Sequence, residues 1–233
     1  MASFKLFAPS PSSVNLIGCS PLSWMVHLAL REKGAQFTVE ELDFAADEHR
    51  SPEMKARNPR GTVPCLEYGA GVDAVVMTES MAMLLFVDEV APAPAMMPER
   101  SSPASAIAHE RFFAAAGLKG AGAQLFRYLA FTPVEQRDTI RVDAMLSSLH
   151  GELARAESWF GGDDESVPRF CAGRQLTLVD LVVFVYVATA IQLGLNCRTR
   201  YPGLHRLYES LRGRPSVRAT WPGGWRAPLD LLS

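Results

Sequence analysis

The alternation of apolar and polar positions divides the chain near residue 92. The first apolar run, "VNLIG" at 14 to 18, predicts a short strand. After a turn, Leu22, Met25, Val26, Ala29 and Leu30 fall at i, i+3, i+4, i+7 and i+8, one face of a helix that Lys33-Gly34 closes. "AQFTVEELDF" (35–44) alternates at Phe37 and Val39 and shifts phase at Leu42, which predicts a strand with a bulge or an exposed edge. A polar stretch, 48–61, starts at Ser-Pro and stops at Asn-Pro, the marks of a short surface helix between loops. Two apolar runs, 63–66 and 74–77, flank the glycine-rich "YGAG" and predict a hairpin. "SMAMLLFVDEVAP" is apolar nearly all round, so the helix it predicts is expected to be covered on both sides.

Prolines at 92, 94, 98 and 103 then mark a linker. Beyond it the pattern is helical throughout, over about 104–131, 134–160, 177–195 and 202–213, with "FGGDDESVP" (160–168) as a loop. The order is β-α-β-α-β-β-α and then helices alone. This predicts a small α/β domain, residues 1–92, followed by an all-helical domain, residues 93–233. The most apolar run, "LVVFVYVATAIQLGL" (181–195), is shorter than the roughly 18 residues a membrane span requires, and Thr189 and Gln192 interrupt it. It predicts a buried core helix.

Composition narrows the function classes. The chain has 233 residues, 48% hydrophobic and 21% charged, as suits a soluble globular protein with a sizeable core. A net charge of −2 offers no general attraction to nucleic acid or to anionic lipid, so neither is expected as a partner. Four cysteines, at 19, 65, 171 and 197, contain no C-x-x-C pair. They predict no metal site and fit buried free thiols in a reducing compartment. The opening residues lack an apolar core with a basic flank, so no secretory signal is predicted and the expected location is cytoplasmic.

Several candidate residues stand at predicted helix starts. Ser20, beside Cys19 and before Pro21, can cap the first helix or aim its hydroxyl at a ligand. Glu79-Ser80 opens another helix, where Ser80 can cap and the N-terminus favours an anion. Thr177 and Asp180 fit a capping box, a structural device that carries no chemistry. Arg212, Arg214 and Arg218 are explained more simply as cations near a helix C-terminus than as a phosphate site.

At "RNPRGTVPCLEYG" and "MTESMAMLLFVDE" the chain resembles the N-terminal domain of cytosolic glutathione transferases. There an Asn-Pro-x-Gly-x-Val-Pro segment precedes a hairpin and a Glu-Ser pair opens the next helix. "EHRSPEMKARNPRGTVP" is similar to the phi class. "RFCAGRQLTLVDLVVF" and "YPGLHRLYESLRGRPSVRATWP" resemble the family's C-terminal helices, so the likeness covers roughly residues 14 to 225. It implies a thioredoxin-like domain with a mixed four-stranded sheet, an all-α domain contributing the hydrophobic electrophile site, and a homodimer. Glutathione is the implied co-substrate, with no metal. A cis Pro64 is implied, turning the Val63 backbone outward to pair with the cysteinyl backbone of glutathione. Glu79 and Ser80 are implied partners of the γ-glutamyl end. His49, with Arg50, sits where the family often places a cation for the glycyl carboxylate; a solvated surface pair is the alternative. Thr62 replaces a longer Gln or Lys there, and Met25 replaces an arginine usual in the first helix.

Matched backwards from the first helix, Ser20 falls where serine-type members carry the catalytic serine and omega-type members a cysteine. A serine cannot form a mixed disulfide with glutathione but can donate a hydrogen bond to its thiolate. A rival register has Cys19 at the site. A second takes "KLFAPSPSSVN" (5–15) as the phi-class opening, with "FKLF" as the first strand and Ser12 as the catalytic serine. That register needs about a dozen residues of loop, uncommon in compact domains, so "NLIG" is taken as the strand and Ser20 as the donor. Trp24, Phe112, Phe113 and Tyr128 are candidates to face the electrophile. The expected activity is transfer of glutathione to hydrophobic electrophiles, a detoxification chemistry. Alternatives are a glutathione-dependent isomerase or peroxidase, and a non-catalytic ligand-binding or assembly member of the fold.

Overall fold

The computed structural model describes residues 3–13, 18–91, 94–161, 170–225, 227–229 and 231–232. They form two compact units: residues 1–95 with 220–224, and residues 96–219 with 225–233.

The first strand of the first unit is β1, Phe4–Pro9. This corrects the expected register: "FKLF", not "NLIG", supplies the strand, and residues 14–17 lie outside the described ones. β1 is an inner strand, with β2 (Phe37–Leu42) parallel on one side and β3 (Cys65–Tyr68) antiparallel on the other. β4 (Val75–Met77) completes the order β2-β1-β3-β4. Inner position explains the composition of β1. Phe4, Leu6, Phe7 and Ala8 are all buried, so the strand reads as an apolar run and not as an alternation. β2 is the exposed edge that its phase shift predicts, but its register with β1 runs unbroken from Phe4–Phe37 to Pro9–Leu42, without a bulge.

α1 (Pro21–Glu32) buries Trp24, Met25, Val26, Leu28, Ala29 and Leu30. α2 (Pro52–Arg57) is the short surface helix, and a single 3-10 turn, Glu48–Arg50, precedes it. α3 (Ser80–Val90) buries Met83, Leu84 and Val87. The cover on both sides that its composition predicts is not met among the described residues: Ala82 and Val90 are exposed.

The second unit is helical, as expected. α4 (Pro103–Phe131) packs against α5 (Thr139–Glu157) and α6 (Leu178–Gln192). α6 is the buried core helix, with every side chain from Leu178 to Ala190 enclosed. Its capping box is formed: Asp180 accepts from the Thr177 backbone N–H at 2.7 Å and from its hydroxyl at 2.8 Å. Two short helices escape the periodicity, α7 (Cys197–Arg200) before α8 (Pro202–Arg212), and α9 (Pro215–Thr220) after it. Most of the predicted loop at 160–168 lies outside the described residues. No described helix is long and apolar enough to cross a membrane.

Candidate functional site

Topology gathers the candidate residues at one end of the sheet. α1 must carry the chain from the end of β1 back to the start of the parallel β2, so its N-terminus, with Ser20, lies at the carboxyl end of β1. β2 ends there too, which sets His49 on the connection that follows it. β3 runs the other way and starts beside Phe7, so Val63 and Pro64 enter at the same end. β4 returns to it, with Met77 opposite Leu66, and delivers Glu79 and Ser80. Ligands of α/β sheets bind beyond the carboxyl ends of the parallel strands for this reason: loops and helix N-termini converge there.

Ser20 is the N-cap of α1. Its backbone is extended (φ −98°, ψ 112°), and its Oγ accepts the Ser23 N–H at 3.3 Å. A hydroxyl that accepts in the cap still has its own proton to donate. Ser12, in the rival register, is exposed on the turn after β1, with Oγ 3.5 Å from Ser10 Oγ. Neighbouring Ser13 is turned inward, donating to the Ser10 carbonyl at 2.9 Å. Cys19 is half-buried, and burial raises its thiol pKa well above the ordinary value, which disfavours a thiolate.

The segment Asn58 to Pro64 is built around one buried amide. Asn58 Nδ2 donates to the Thr62 carbonyl at 2.7 Å and to Thr62 Oγ1 at 3.0 Å, while its Oδ1 accepts the Arg60 N–H at 3.1 Å. Gly61 takes φ +59° in this turn, where a Cβ would stand 3.0 Å from Arg50 Cγ. The missing Cβ lets the His49–Arg50 turn approach the Asn58–Thr62 turn closely. The Val63–Pro64 peptide is cis, as the resemblance implies. Val63 packs its side chain on Phe7, Leu42, Met54 and Cys65 and precedes the β1–β3 ladder, whose last pair is Phe7 with Cys65. Thr62 is exposed and its Oγ1 is already an acceptor, which leaves the hydroxyl proton as its contribution.

His49 is buried rather than solvated, stacked on Phe44 with centroids 3.9 Å apart and with Nε2 3.5 Å from Asp47 Oδ1. Burial lowers its pKa and the Asp47 carboxylate partly offsets that. Its Nδ1 has no hydrogen-bond partner among the described residues. Arg50 is the exposed charge of the pair and faces Asp47 at 3.4 Å.

At α3 the roles of the Glu-Ser pair shift by one residue. Glu79, not Ser80, is the N-cap, and its side chain makes no capping bond. Ser80 is the first helical residue and is buried. The Glu79 carboxylate is instead paired with the Arg60 guanidinium. Arg60 escaped the sequence reading because an exposed arginine in a variable motif position carries no local signal, and its partner lies 19 residues away.

Of the electrophile-facing candidates, Trp24 is buried, with its indole N–H donating to Thr220 Oγ1 at 3.0 Å and its ring edge-on to Trp221. Phe112 is fully buried, Phe113 is exposed, and Tyr128 accepts the Asp138 N–H at 3.0 Å.

Comparison with known proteins agrees with this architecture. Residues 19–90 match the model of the glutathione S-transferase N-terminal domain, and residues 126–219 that of the C-terminal domain. Glutathione S-transferase A of Pleuronectes platessa is 31% identical over 208 residues, 88% of this chain and 89% of its own. The probable maleylacetoacetate isomerase of Caenorhabditis elegans is 23% identical over 222 residues, 87% of this chain and 89% of its own. Among solved structures, a glutathione S-transferase from the Antarctic clam Laternula elliptica superposes with a TM-score of 0.75 at 25% identity, covering 98% of this chain and 99% of the other. Ure2p in complex with glutathione superposes at 0.78 and 21% identity, covering 94% and 97%. Two domain models matched in order, and a relative alike along most of the chain, make this protein a member of the glutathione S-transferase family.

Proposed function

We infer that the protein is a serine-type glutathione transferase, in which the Ser20 hydroxyl holds the glutathione thiolate for attack on hydrophobic electrophiles. The observation that carries this reading is the position of Ser20: N-cap of α1, at the sheet end where Val63, Pro64, Glu79 and Ser80 converge. The domain match begins at residue 19, so it takes in Ser20 and leaves out Ser12, which supports the helix register even though the first strand is Phe4–Pro9. The raised Cys19 pKa argues against a thiol at this position doing the work.

Magnitudes are sufficient. Lowering a thiol from about 8.5 by about two units requires roughly 2.7 kcal/mol. One hydrogen bond to a charged group contributes about 1.5–3 kcal/mol, and the first turn of a helix about 0.3–1 more. Val63 would pair the cysteinyl backbone of glutathione, Glu79 and Ser80 would hold its γ-glutamyl end, and Arg50, Thr62 and His49 would line the glycyl side. The half-covered α3 supports a homodimer that encloses Ala82 and Val90. The expected location is cytoplasmic.

The test is the ultraviolet thiolate absorbance of bound glutathione across pH. A depressed thiol pKa in wild type that returns toward the free value in Ser20→Ala, and not in Ser12→Ala, supports the assignment. Recovery only in Ser12→Ala moves the role to Ser12. An unshifted thiol overturns thiolate activation. The isomerase-named relative motivates a second reading, glutathione-dependent isomerisation by the same thiolate, which substrate profiling separates from conjugation.

A further inference from the structure

In the helical unit, α5 fastens the corner where α7 meets α8 at two places. Near its C-terminus, Glu157 accepts the Gly203 N–H at 2.7 Å and the Leu204 N–H at 2.8 Å, one carboxylate oxygen for each, and so holds the first turn of α8. About two turns earlier, His150 holds the residues before Pro202. Its Nδ1 lies 2.7 Å from Tyr201 Oη and its Nε2 3.1 Å from Arg200 Nη1. Tyr201 is buried, and its ring is stacked beside the imidazole with centroids 6.0 Å apart. A guanidinium only donates, so Nε2 is the acceptor and the ring proton sits on Nδ1, donating to Tyr201 Oη. The Tyr201 hydroxyl donates onward to the His150 carbonyl at 3.3 Å. Both nitrogens of the neutral ring are thus in use, and α7, which ends at Arg200, is tied to α5 through them.

A proton added to Nε2 sets two donors and two positive charges face to face. The bond to Arg200 does not survive that, whereas the Tyr201 and Glu157 contacts do. We propose that His150 is a pH-operated latch on α7: the neutral ring holds Arg200 against α5, and the protonated ring releases it while Glu157 keeps α8 in place. Burial and the Arg200 charge both disfavour the imidazolium, so release falls below the ordinary histidine value of about 6.5. The other titratable groups of the packed elements do not oppose this. Burial raises the Tyr201 phenol, and burial with the Glu157 charge pushes the Cys197 thiol on α7 up to about 12, so both stay neutral. Glu152 of α5 is turned toward Gly117 of α4 and pairs with Arg155 at 3.4 Å. On α8, His205 lies 3.9 Å from Glu209, and a proton gained there strengthens that contact instead of breaking it.

The experiment is hydrogen–deuterium exchange of the full chain at pH 7.5 and at pH 5, read by mass spectrometry and corrected for the intrinsic pH dependence of exchange. Peptides covering 197–201 report the latch, and peptides of α6 report global opening. In wild type, protection of 197–201 is expected to fall about tenfold more than that of α6 at the lower pH, the effect of losing one hydrogen bond to a charged group. His150→Gln, which takes up no proton, is expected to show no such difference. Arg200→Met, a change at an exposed side chain, removes the opposing cation, and the His150 ring is expected to titrate closer to the ordinary histidine value by NMR. Protection of 197–201 that follows α6 at both pH values in wild type overturns the latch. An equal pH-dependent loss in His150→Gln overturns it too, as does a His150 titration that Arg200→Met leaves unmoved.

Discussion

Lys33 Nζ lies 2.9 Å from Asp88 Oδ1 and 2.6 Å from the Pro94 carbonyl, with the lysine side chain almost completely buried. The ammonium at the end of α1 is thereby tied to α3 and to the segment that follows it. Removing one member of a buried pair strands the other charge, which costs about 3 kcal/mol or more. Asp88→Asn and Lys33→Met are each expected to lower the urea midpoint strongly. The double variant Lys33→Met/Asp88→Leu is expected to recover much of the loss. Additive losses would refute the coupling.

Ser20 carries two roles that substitution separates. Ser20→Ala removes both cap and hydroxyl, and is expected to cost about 1 kcal/mol of stability together with thiolate activation. Ser20→Gly removes the hydroxyl but costs only a few tenths as a cap. Near-wild-type urea stability with conjugation as low as in Ser20→Ala is expected for the glycine variant. Activity that tracks stability across the two variants would reduce Ser20 to a cap.

Asn58 organises the turn that presents Arg60, Thr62 and Val63. Asn58→Leu leaves the Arg60 N–H and the Thr62 carbonyl without their partner. A loss of about 1–3 kcal/mol is expected in urea unfolding, along with weaker glutathione binding. Gly61→Ala should resemble it, because φ +59° costs a residue with a Cβ about 1–2 kcal/mol and that Cβ meets Arg50. Intact binding in both variants would show that the turn does not position the site.

His27 on α1 is packed edge-on to Phe37, and its Nε2 is buried without a hydrogen-bond partner among the described residues. Burial, with a smaller contribution from Arg31, lowers its pKa to about 4. The unfolded chain therefore binds the proton more tightly than the folded one between pH 6.5 and about 4. Stability must fall as pH drops through that window and level off below it. Burial also lowers His49 and His150, which steepen the upper part of the same slope. Urea midpoints of His27→Leu are expected to fall less between pH 7 and pH 4.5 than those of wild type. An identical pH profile would exclude His27 as a source of the acid lability.

Much of the architecture is legible locally. The hairpin at Cys65–Met77, the helix at Pro21–Glu32 and the capping box at Thr177–Asp180 follow from apolar spacing, turn residues and caps within a few positions of one another. The first strand is not legible in that way. "FKLF" and "VNLIG" are both short apolar runs, and an inner strand lacks the alternation that would distinguish it. Preference for a short connection pointed to the wrong one, since eleven residues, 10–20, separate Pro9 from Pro21. The Asn-Pro-Arg-Gly turn was legible as a motif, but the reach of Asn58 to both Arg60 and Thr62 was not.

The sequence by itself therefore determined the order of elements in the α/β part, the helix caps at Ser20 and Thr177, the division into an α/β part and a helical part, and the family resemblance. All of these are written in local periods, punctuation and motifs. Only the tertiary structure decided that Phe4–Pro9 is the inner strand, that Glu79 rather than Ser80 is the N-cap residue of α3, that His49 is buried against Phe44, and that Arg60 faces Glu79. Those outcomes depend on which distant residues come within hydrogen-bonding reach and on how much water each loses, and no local period records either.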